Sequence, residues 1–224
     1  MIGVVVPAHN EQALLGHCLV SLKAAAWQAQ LAGEQVEILV VLDACTDASA
    51  HIAKAHGVLT LTIEQHNVGY ARRAGADFML ERGADWLACT DADSTVPVDW
   101  LVQQLAFEAD AVCGTVTIGD WQPMHTHRLR QRYLQLYHAS EHHRHIHAAN
   151  LGIRAMAYRR AGGFRPLAVH EDVHLVRDLQ HSGARIIWTA RNSVLTSARS
   201  DTRVRGGFGD YLASLAAQTS SFSG

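Results

Sequence analysis

Along the first ninety residues, short runs of apolar and β-branched residues alternate with segments whose apolar positions recur at helical spacing. Residues 2–6 form an apolar run that closes at Pro7. Comparable runs fill residues 36–42, 58–63 and 86–89. Runs this short predict strands, and those that do not alternate strictly predict strands buried on both faces. Between them, residues 11–31, 47–56 and 70–82 carry helical patterns, and Gly83 follows the last as a stop signal. Strand and helix in alternation predict an α/β fold, a mostly parallel sheet with helices on both faces.

The second half is less regular. Residues 110–116 predict a strand. Residues 128–147 predict a long helix with Leu129, Tyr133, Leu136 and Tyr137 on one face. Residues 149–153 predict a strand and 154–161 a helix, followed by the turn Gly162-Gly163-Phe164. A helix over 171–181 and a strand over 185–188 complete the pattern. No internal repeat or low-complexity linker interrupts it, so one domain spanning 1–224 is expected.

Composition narrows the function classes. The chain has 224 residues, 48% hydrophobic and 18% charged, which suits a globular protein with a substantial core. A net charge of -2 provides no global field for nucleic acid, so none is expected as a partner and any anion site must be local. Cys18, Cys45, Cys89 and Cys113 are far apart and form no CxxC pair. They read as small buried residues in a reducing compartment. The start lacks a basic region and a signal-length apolar stretch, and the longest apolar runs are strand-length. No transmembrane segment is expected. The expected location is cytoplasmic, with attachment to the inner membrane face left open.

In open parallel sheets, chemistry gathers beyond the carboxyl ends of the strands. Here those ends are polar: Pro7-Ala8-His9-Asn10-Glu11 after the first strand, Asp43 to Asp47 after the second, Asp91-Ala92-Asp93 after the fourth. Two carboxylates one residue apart suit a hard divalent cation, Mg2+ or Mn2+, that keeps positions open for phosphate oxygens. An Asp-x-Asp pair also makes ordinary turns, but its place after a buried strand favours function. Asp43 can accept the N3–H of uracil or the N1–H of guanine, which cytosine lacks, or it can cap a helix. Both readings stay open, although Asp47 is the better cap.

Other clusters are more ambiguous. Asn67-Val68-Gly69-Tyr70-Ala71-Arg72-Arg73 opens a helix and could meet a phosphate, but a plain cap with a solvated arginine pair is the preferred reading in isolation. Glu171 and Asp172 could include a general base, or simply be first-turn acids facing the helix dipole. Arg199, Arg203 and Arg205 lie in a glycine-bounded loop that could close over a diphosphate or be a solvated segment. Several of the 15 histidines, including His138, His142, His143, His145 and His147, fall at i,i+4 spacing on the predicted long helix. No HExxH pattern occurs, so a partly exposed polar face lining the acceptor pocket is preferred to a zinc site.

Taken in order, these segments resemble the family 2 glycosyltransferases of the GT-A fold. The matching pieces are Val4 to Glu11, Val41-Leu42-Asp43, Asn67 to Arg72, Asp91-Ala92-Asp93, Asn150-Leu151-Gly152-Ile153-Arg154 with Gly162-Gly163-Phe164, and Glu171-Asp172. The resemblance implies a nucleotide-binding half over 1–95 and an acceptor-binding half with a C-terminal loop over 96–224. It implies that Pro7, Ala8, Asn10 and Glu11 line the nucleotide pocket, Asp43 holds the base and Arg72 approaches the nucleotide. Asp91 would meet ribose or donor sugar and Asp93, with Asp91, the metal. Asp172 would be the catalytic base and Glu171 would position sugar or acceptor. Arg199 and Arg203 would cover the donor.

The implied reaction is metal-dependent, inverting transfer of a sugar from a nucleotide-diphosphate donor, UDP first and GDP second. The acceptor would be a hydroxyl on a small molecule, a glycan or a lipid-linked sugar. His174 stands where many members have a further acid, and the Gln-x-x-Arg-Trp motif of processive synthases is absent, which favours single transfer. The rivals are a non-catalytic nucleotide-sugar-binding protein and a nucleotidyltransferase. The latter would need a glycine-rich, basic loop after the first strand, where this chain has Pro7-Ala8-His9-Asn10-Glu11.

Overall fold

In β1 (Ile2–Ala8), Val4 and Val6 pack into one core while Val5 packs into another. Successive strand side chains point to opposite faces, so a strand apolar at every position must be covered on both sides. The same holds for β2 (Val36–Asp43) and β4 (Trp86–Cys89). In the computed structural model, which describes residues 1–119, 121, 127–197 and 214–216 (Leu31 by its backbone alone), the cover is helical. Helices α1 (Leu15–Leu31) and α4 (Trp100–Ala106) close one face through Leu15, Leu19, Leu22 and Trp100. Helices α3 (Val68–Glu81), α6 (Ala155–Arg160) and α7 (Glu171–His181) close the other through Met79, Tyr158, Leu175 and Leu179.

Adding β3 (Leu59–Ile63), β5 (Ala111–Ile118), β6 (Leu151–Arg154) and β7 (Ile186–Thr196), the seven strands run in the order β3-β2-β1-β4-β6-β5-β7. Strands β1 to β4 are mutually parallel where they pair, and β5 pairs parallel with β7. Only β6 reverses, antiparallel to both β4 and β5. The carboxyl ends of β1, β2, β4 and β5 therefore open on one rim. Helices α2 (Ser49–Ala55) and α5 (His127–Leu136) and a 3-10 turn over Ala148–Asn150 are the remaining elements named among the described residues.

Three expectations need correction, and one helix lies where none was expected. The helix expected over 128–147 ends at Leu136. Beyond it the chain turns, with His142 at φ 63, and the Tyr137 side chain reaches inward to accept from Val116 N at 2.9 Å. The histidines therefore do not share a helix face, and their i,i+4 spacing carries no meaning. The strand expected over 185–188 continues to Thr196, because its register against β5 shifts between Gly114 and Thr115 and pairing then resumes. Helix α4, which the pattern reading left unassigned, forms because Trp100 and Leu101 are wholly buried against α1. The expected first helix over 11–31 begins only at Leu15, after a turn that Asn10 enters at φ 54.

Asn150 fastens the antiparallel strand to its surroundings. Its side chain accepts from Trp100 Nε1 at 2.9 Å and donates to Thr115 O at 2.8 Å and Asn192 O at 2.6 Å. It is 1% exposed, so no water can replace these partners. Asn150→Ala should strand one donor and two carbonyls and cost about 3 kcal/mol. Urea unfolding should show a lower midpoint at unchanged slope, and a loss under about 1 kcal/mol would remove this account of the anchor.

Candidate active site on the carboxyl rim

The loops after β1 and β2 are stitched together. Asn10 Oδ1 accepts from Thr46 N at 2.8 Å and Asp47 N at 3.3 Å. Glu11 N donates to Ser49 Oγ at 2.8 Å, and Gln12 N donates to Asp47 Oδ2 at 2.9 Å. Asp47 Oδ1 also accepts from Ser49 N at 2.9 Å, so Asp47, not Asp43, supports the start of α2. Pro7 and Ala8 lie at the end of β1, paired in register with Val41 and Leu42, and Ala8 O accepts from Cys45 Sγ at 3.2 Å.

Asp43 is buried and serves a different loop. Its Oδ1 accepts from Gln65 N at 2.7 Å and His66 N at 2.9 Å, and its Oδ2 from Asn67 N at 2.7 Å. An acceptor-only carboxylate suits such converging amides. His9 Nδ1 donates to the Asp43 carbonyl at 2.6 Å, and its ring meets His66 edge-on with centroids 5.5 Å apart. The sequence reading did not single out these two rings. Their adjacency to Pro7-Ala8 and to Asn67 was the available signal.

Asn67 caps α3 by accepting from Tyr70 N at 2.9 Å. Gly69 is required by the chain itself, since a Cβ there would lie 2.4 Å from Arg165 O. Its close approach is to residues 165–167, and its N–H donates to Leu167 O at 3.0 Å. Arg73 is surface-exposed and pairs with Asp77 at 3.7 Å. Arg72 behaves otherwise, correcting the expectation of a solvated pair. It is 3% exposed and donates to Asp91 Oδ1 through one amino group and to Glu171 Oε1 through the other, the latter at 3.0 Å. Burial opposes its charge, but Asp91 and Glu171 outweigh that and hold it above its ordinary value. Burial pushes the Glu171 carboxyl up, and Arg72 offsets only part of this.

Asp172 is the second residue of α7, which Glu171 opens after His170, left-handed at φ 62. Its Oδ2 accepts from Ala148 N at 2.9 Å and its Oδ1 from Val173 N at 2.7 Å. The Asp91–Ser94 turn is held against β7, because Ser94 Oγ donates to Thr196 Oγ1 at 3.1 Å and Thr95 bridges Leu195. The structure thus brings Asp91, Arg72 and Glu171 into direct contact. Arg199, Arg203 and Arg205 lie outside the described residues.

The histidines are mutually engaged. His143 Nε2 donates to Thr189 O at 3.2 Å and its Nδ1 accepts from His145 N at 3.0 Å. His145 Nε2 donates to His138 O at 3.0 Å, and its ring stacks on Tyr137 with centroids 4.2 Å apart. Among the described residues no three His, Cys, Asp or Glu side chains converge on a metal position. A cation held by one or two carboxylates, with substrate phosphates and water completing its shell, needs no such cage. Asp93, on a turn anchored to β7 with Asp91 already paired to Arg72, fits that mode of binding.

A family model described as glycosyl transferase family 2 matches residues 3–165. The match includes Asp43, Arg72, Asp91 and Asp93 and ends before Glu171. The low-salt glycan biosynthesis hexosyltransferase Agl6 of Haloferax volcanii is 30% identical over 135 residues. That stretch covers 56% of this chain but only 31% of Agl6, so the chain spans about a third of that curated relative. A crystal structure of S. aureus TarS in complex with UDP-GlcNAc aligns with a TM-score of 0.66 at 16% identity, over 97% of this chain and 65% of that one. The mannosyltransferase PcManGT from Pyrobaculum calidifontis, in complex with GDP-Man and Mn2+, aligns with a TM-score of 0.65 at 16% identity, over 100% and 65%. At such identity the likeness is one of fold, and that fold is GT-A. Among the described residues no helix is long and apolar enough to cross a membrane.

Arg72→Leu should leave Asp91 and Glu171 without their shared cation and cost about 3–5 kcal/mol in urea unfolding. A neutral outcome would mean that water replaces the guanidinium. A second expectation concerns pH. Burial pushes His147 down from 6.5 to about 4. Within that window the unfolded chain takes up a proton that the folded chain refuses, so stability falls as pH drops and this contribution levels off below about 4. His147→Gln should therefore lose less thermal stability than the parent between about pH 7 and about pH 5, and equal losses would refute the assignment.

Proposed function

The chain belongs to glycosyl transferase family 2, and from that premise we propose that it moves a hexose from a nucleotide-diphosphate donor to a hydroxyl of a second molecule. The carrying observation is the Asp91–Arg72–Glu171 contact, which joins the acidic turn after β4 to the acidic start of α7 on one rim. In this reading residues 1–95 bind the nucleotide and 96–224 bind the acceptor.

Pro7, Ala8, Asn10 and Glu11 wall the nucleotide side, and the stitching of Asn10 to Thr46 and Asp47 keeps that wall rigid. Asp43 accepts the imino proton of the base. That requirement admits UDP and GDP, in that order of preference, and disfavours CDP. Arg72 acts through its partners, fixing the Asp91 and Glu171 carboxylates, with Asp91 meeting ribose or sugar and Glu171 orienting the transferred hexose. Arg199 and Arg203 are proposed to cover the diphosphate. Asp93, with Asp91, would hold a Mg2+ or Mn2+ ion. Such an ion supplies neutralising charge to the diphosphate as it departs.

Asp172 takes the proton of the acceptor hydroxyl. The acceptor oxygen then bonds to the anomeric carbon from the face opposite the diphosphate, whose bond to that carbon breaks with the electron pair leaving on phosphate oxygen. Configuration inverts, and the product leaves after one transfer. Binding of donor-like ligands is supported by what the structural neighbours hold, UDP-GlcNAc in TarS and GDP-Man with Mn2+ in PcManGT.

Calorimetric titration of UDP, GDP and CDP, each with and without Mn2+, tests the reading. UDP or GDP should bind about tenfold or more tightly with Mn2+ than without, and CDP weakly in both. Asp93→Ala should remove the metal increment. Asp172→Asn should retain nucleotide affinity and cut release of UDP or GDP from the hexose donor about a thousandfold. Metal-independent binding by all three nucleotides would sink the proposal, and binding without turnover would leave a nucleotide-sugar-binding protein.

A further inference from the structure

The histidine-rich stretch after α5 finds its meaning in one backbone amide. Ala148 N donates to Asp172 Oδ2 at 2.9 Å, and Ala148 opens a single 3-10 turn, Ala148–Asn150. The far end of that turn is bolted by the Asn150 side chain. The near end is bolted by His147. Its Nε2 lies 3.1 Å from Tyr137 Oη, and that hydroxyl accepts from Val116 N at 2.9 Å. With its acceptor role filled by a β5 amide, the tyrosyl O–H donates to His147 Nε2. The imidazole is then neutral, with its proton on Nδ1. Burial keeps it so across the physiological range.

The tyrosine is itself fixed. It stacks on Tyr133 with centroids 5.3 Å apart and 10° between planes, and on His145 at 4.2 Å and 24°. Tyr133 is fully buried beside Leu129 and Leu215. A continuous path of packed rings and hydrogen bonds therefore runs from the sheet, through Tyr137 and His147, to the amide that faces Asp172.

We propose that Tyr137 and His147 are positioning residues, which hold the Ala148 N–H against Asp172 Oδ2 and so aim the carboxylate that removes the acceptor proton. The inference rests on the reading of Asp172 as the base, but the clamp itself can be measured without turnover. With Oδ2 held by the Ala148 N–H and Oδ1 by the Val173 N–H, the carboxylate has its plane set while each oxygen keeps a lone pair to meet an incoming hydroxyl. Neither residue touches the reacting atoms; both act through Ala148.

The test uses Tyr137→Phe, His147→Leu and His147→Gln in the full chain, with urea midpoints to confirm folding. Amide hydrogen exchange at Ala148 should quicken about tenfold in Tyr137→Phe and His147→Leu. His147→Gln retains an acceptor for the tyrosyl hydroxyl and should recover most of the protection. With whichever UDP- or GDP-hexose the parent turns over fastest, kcat should fall about tenfold while donor KM stays within about twofold. In an Asp172→Asn background, Tyr137→Phe should lower the residual rate no further. Unchanged Ala148 exchange in both disrupting variants overturns the clamp, and faster exchange with unchanged kcat overturns its positioning role. Were the parent to turn over no such donor, the proposed function would fall, and Ala148 exchange would still decide the clamp.

Discussion

A guanidinium without water sets the terms for this site. Transferring a charged group out of solvent costs several kcal/mol, and attraction repays that only with well-placed opposite charge. Arg72 is 3% exposed and finds two carboxylates, Asp91 and Glu171. The three groups come from α3, the end of β4 and the start of α7. The ion cluster therefore constrains how these elements approach one another, and any shift of one leaves a buried charge uncompensated. Each acid it holds has a neighbour in sequence with a separate proposed task, Asp93 beyond Asp91 and Asp172 beyond Glu171.

The reversed strand β6 makes this convergence possible. Inserted between β4 and β5, it brings the 3-10 turn Ala148–Asn150 back to the rim on which the parallel strands end. Asn150 fixes that turn to α4, β5 and β7 at once. The amide two residues earlier is then available to Asp172. Sheet topology, a buried amide side chain and the proposed base thus form one mechanical unit.

The parallel half was legible because its signals are local. Consecutive buried residues in β1, β2 and β4 leave strands with no solvent face, and the polar loops at their carboxyl ends mark the rim. What escaped sequence reading depends on partners far along the chain. Arg72 looks like half of a solvated pair with Arg73 until its contact 99 residues away is known. Tyr137 looks like the last apolar position of a helix, whereas its hydroxyl serves Val116 and His147. Asp43 gave two readings from its position alone, and its three amide partners lie 22 to 24 residues on. Helix propensity could not forecast the end of α5, because ring stacking and a β5 hydrogen bond decide it. The arginines at 199 and 203 fall outside the described residues, so their proposed role rests on resemblance.

The bonding of Asp43 gives physical content to the proposed choice of nucleotide. A carboxylate offers about four lone-pair positions. Three are taken by the amides of Gln65, His66 and Asn67, which fix its plane and depth. A group so occupied can accept one more hydrogen bond, in a plane that is already set. It offers no donor, so it rewards an imino N–H and gives cytosine, which presents an acceptor there, an unfavourable meeting. Discrimination of this kind comes from an unmatched polar pair, which costs more than a lost apolar contact. The stitched loops around Asn10 and Asp47 hold the neighbouring wall still, so a base that misfits cannot gain by moving it. In the proposed reading, selectivity at this rim would follow from the bonds the backbone already makes to Asp43 before any ligand arrives.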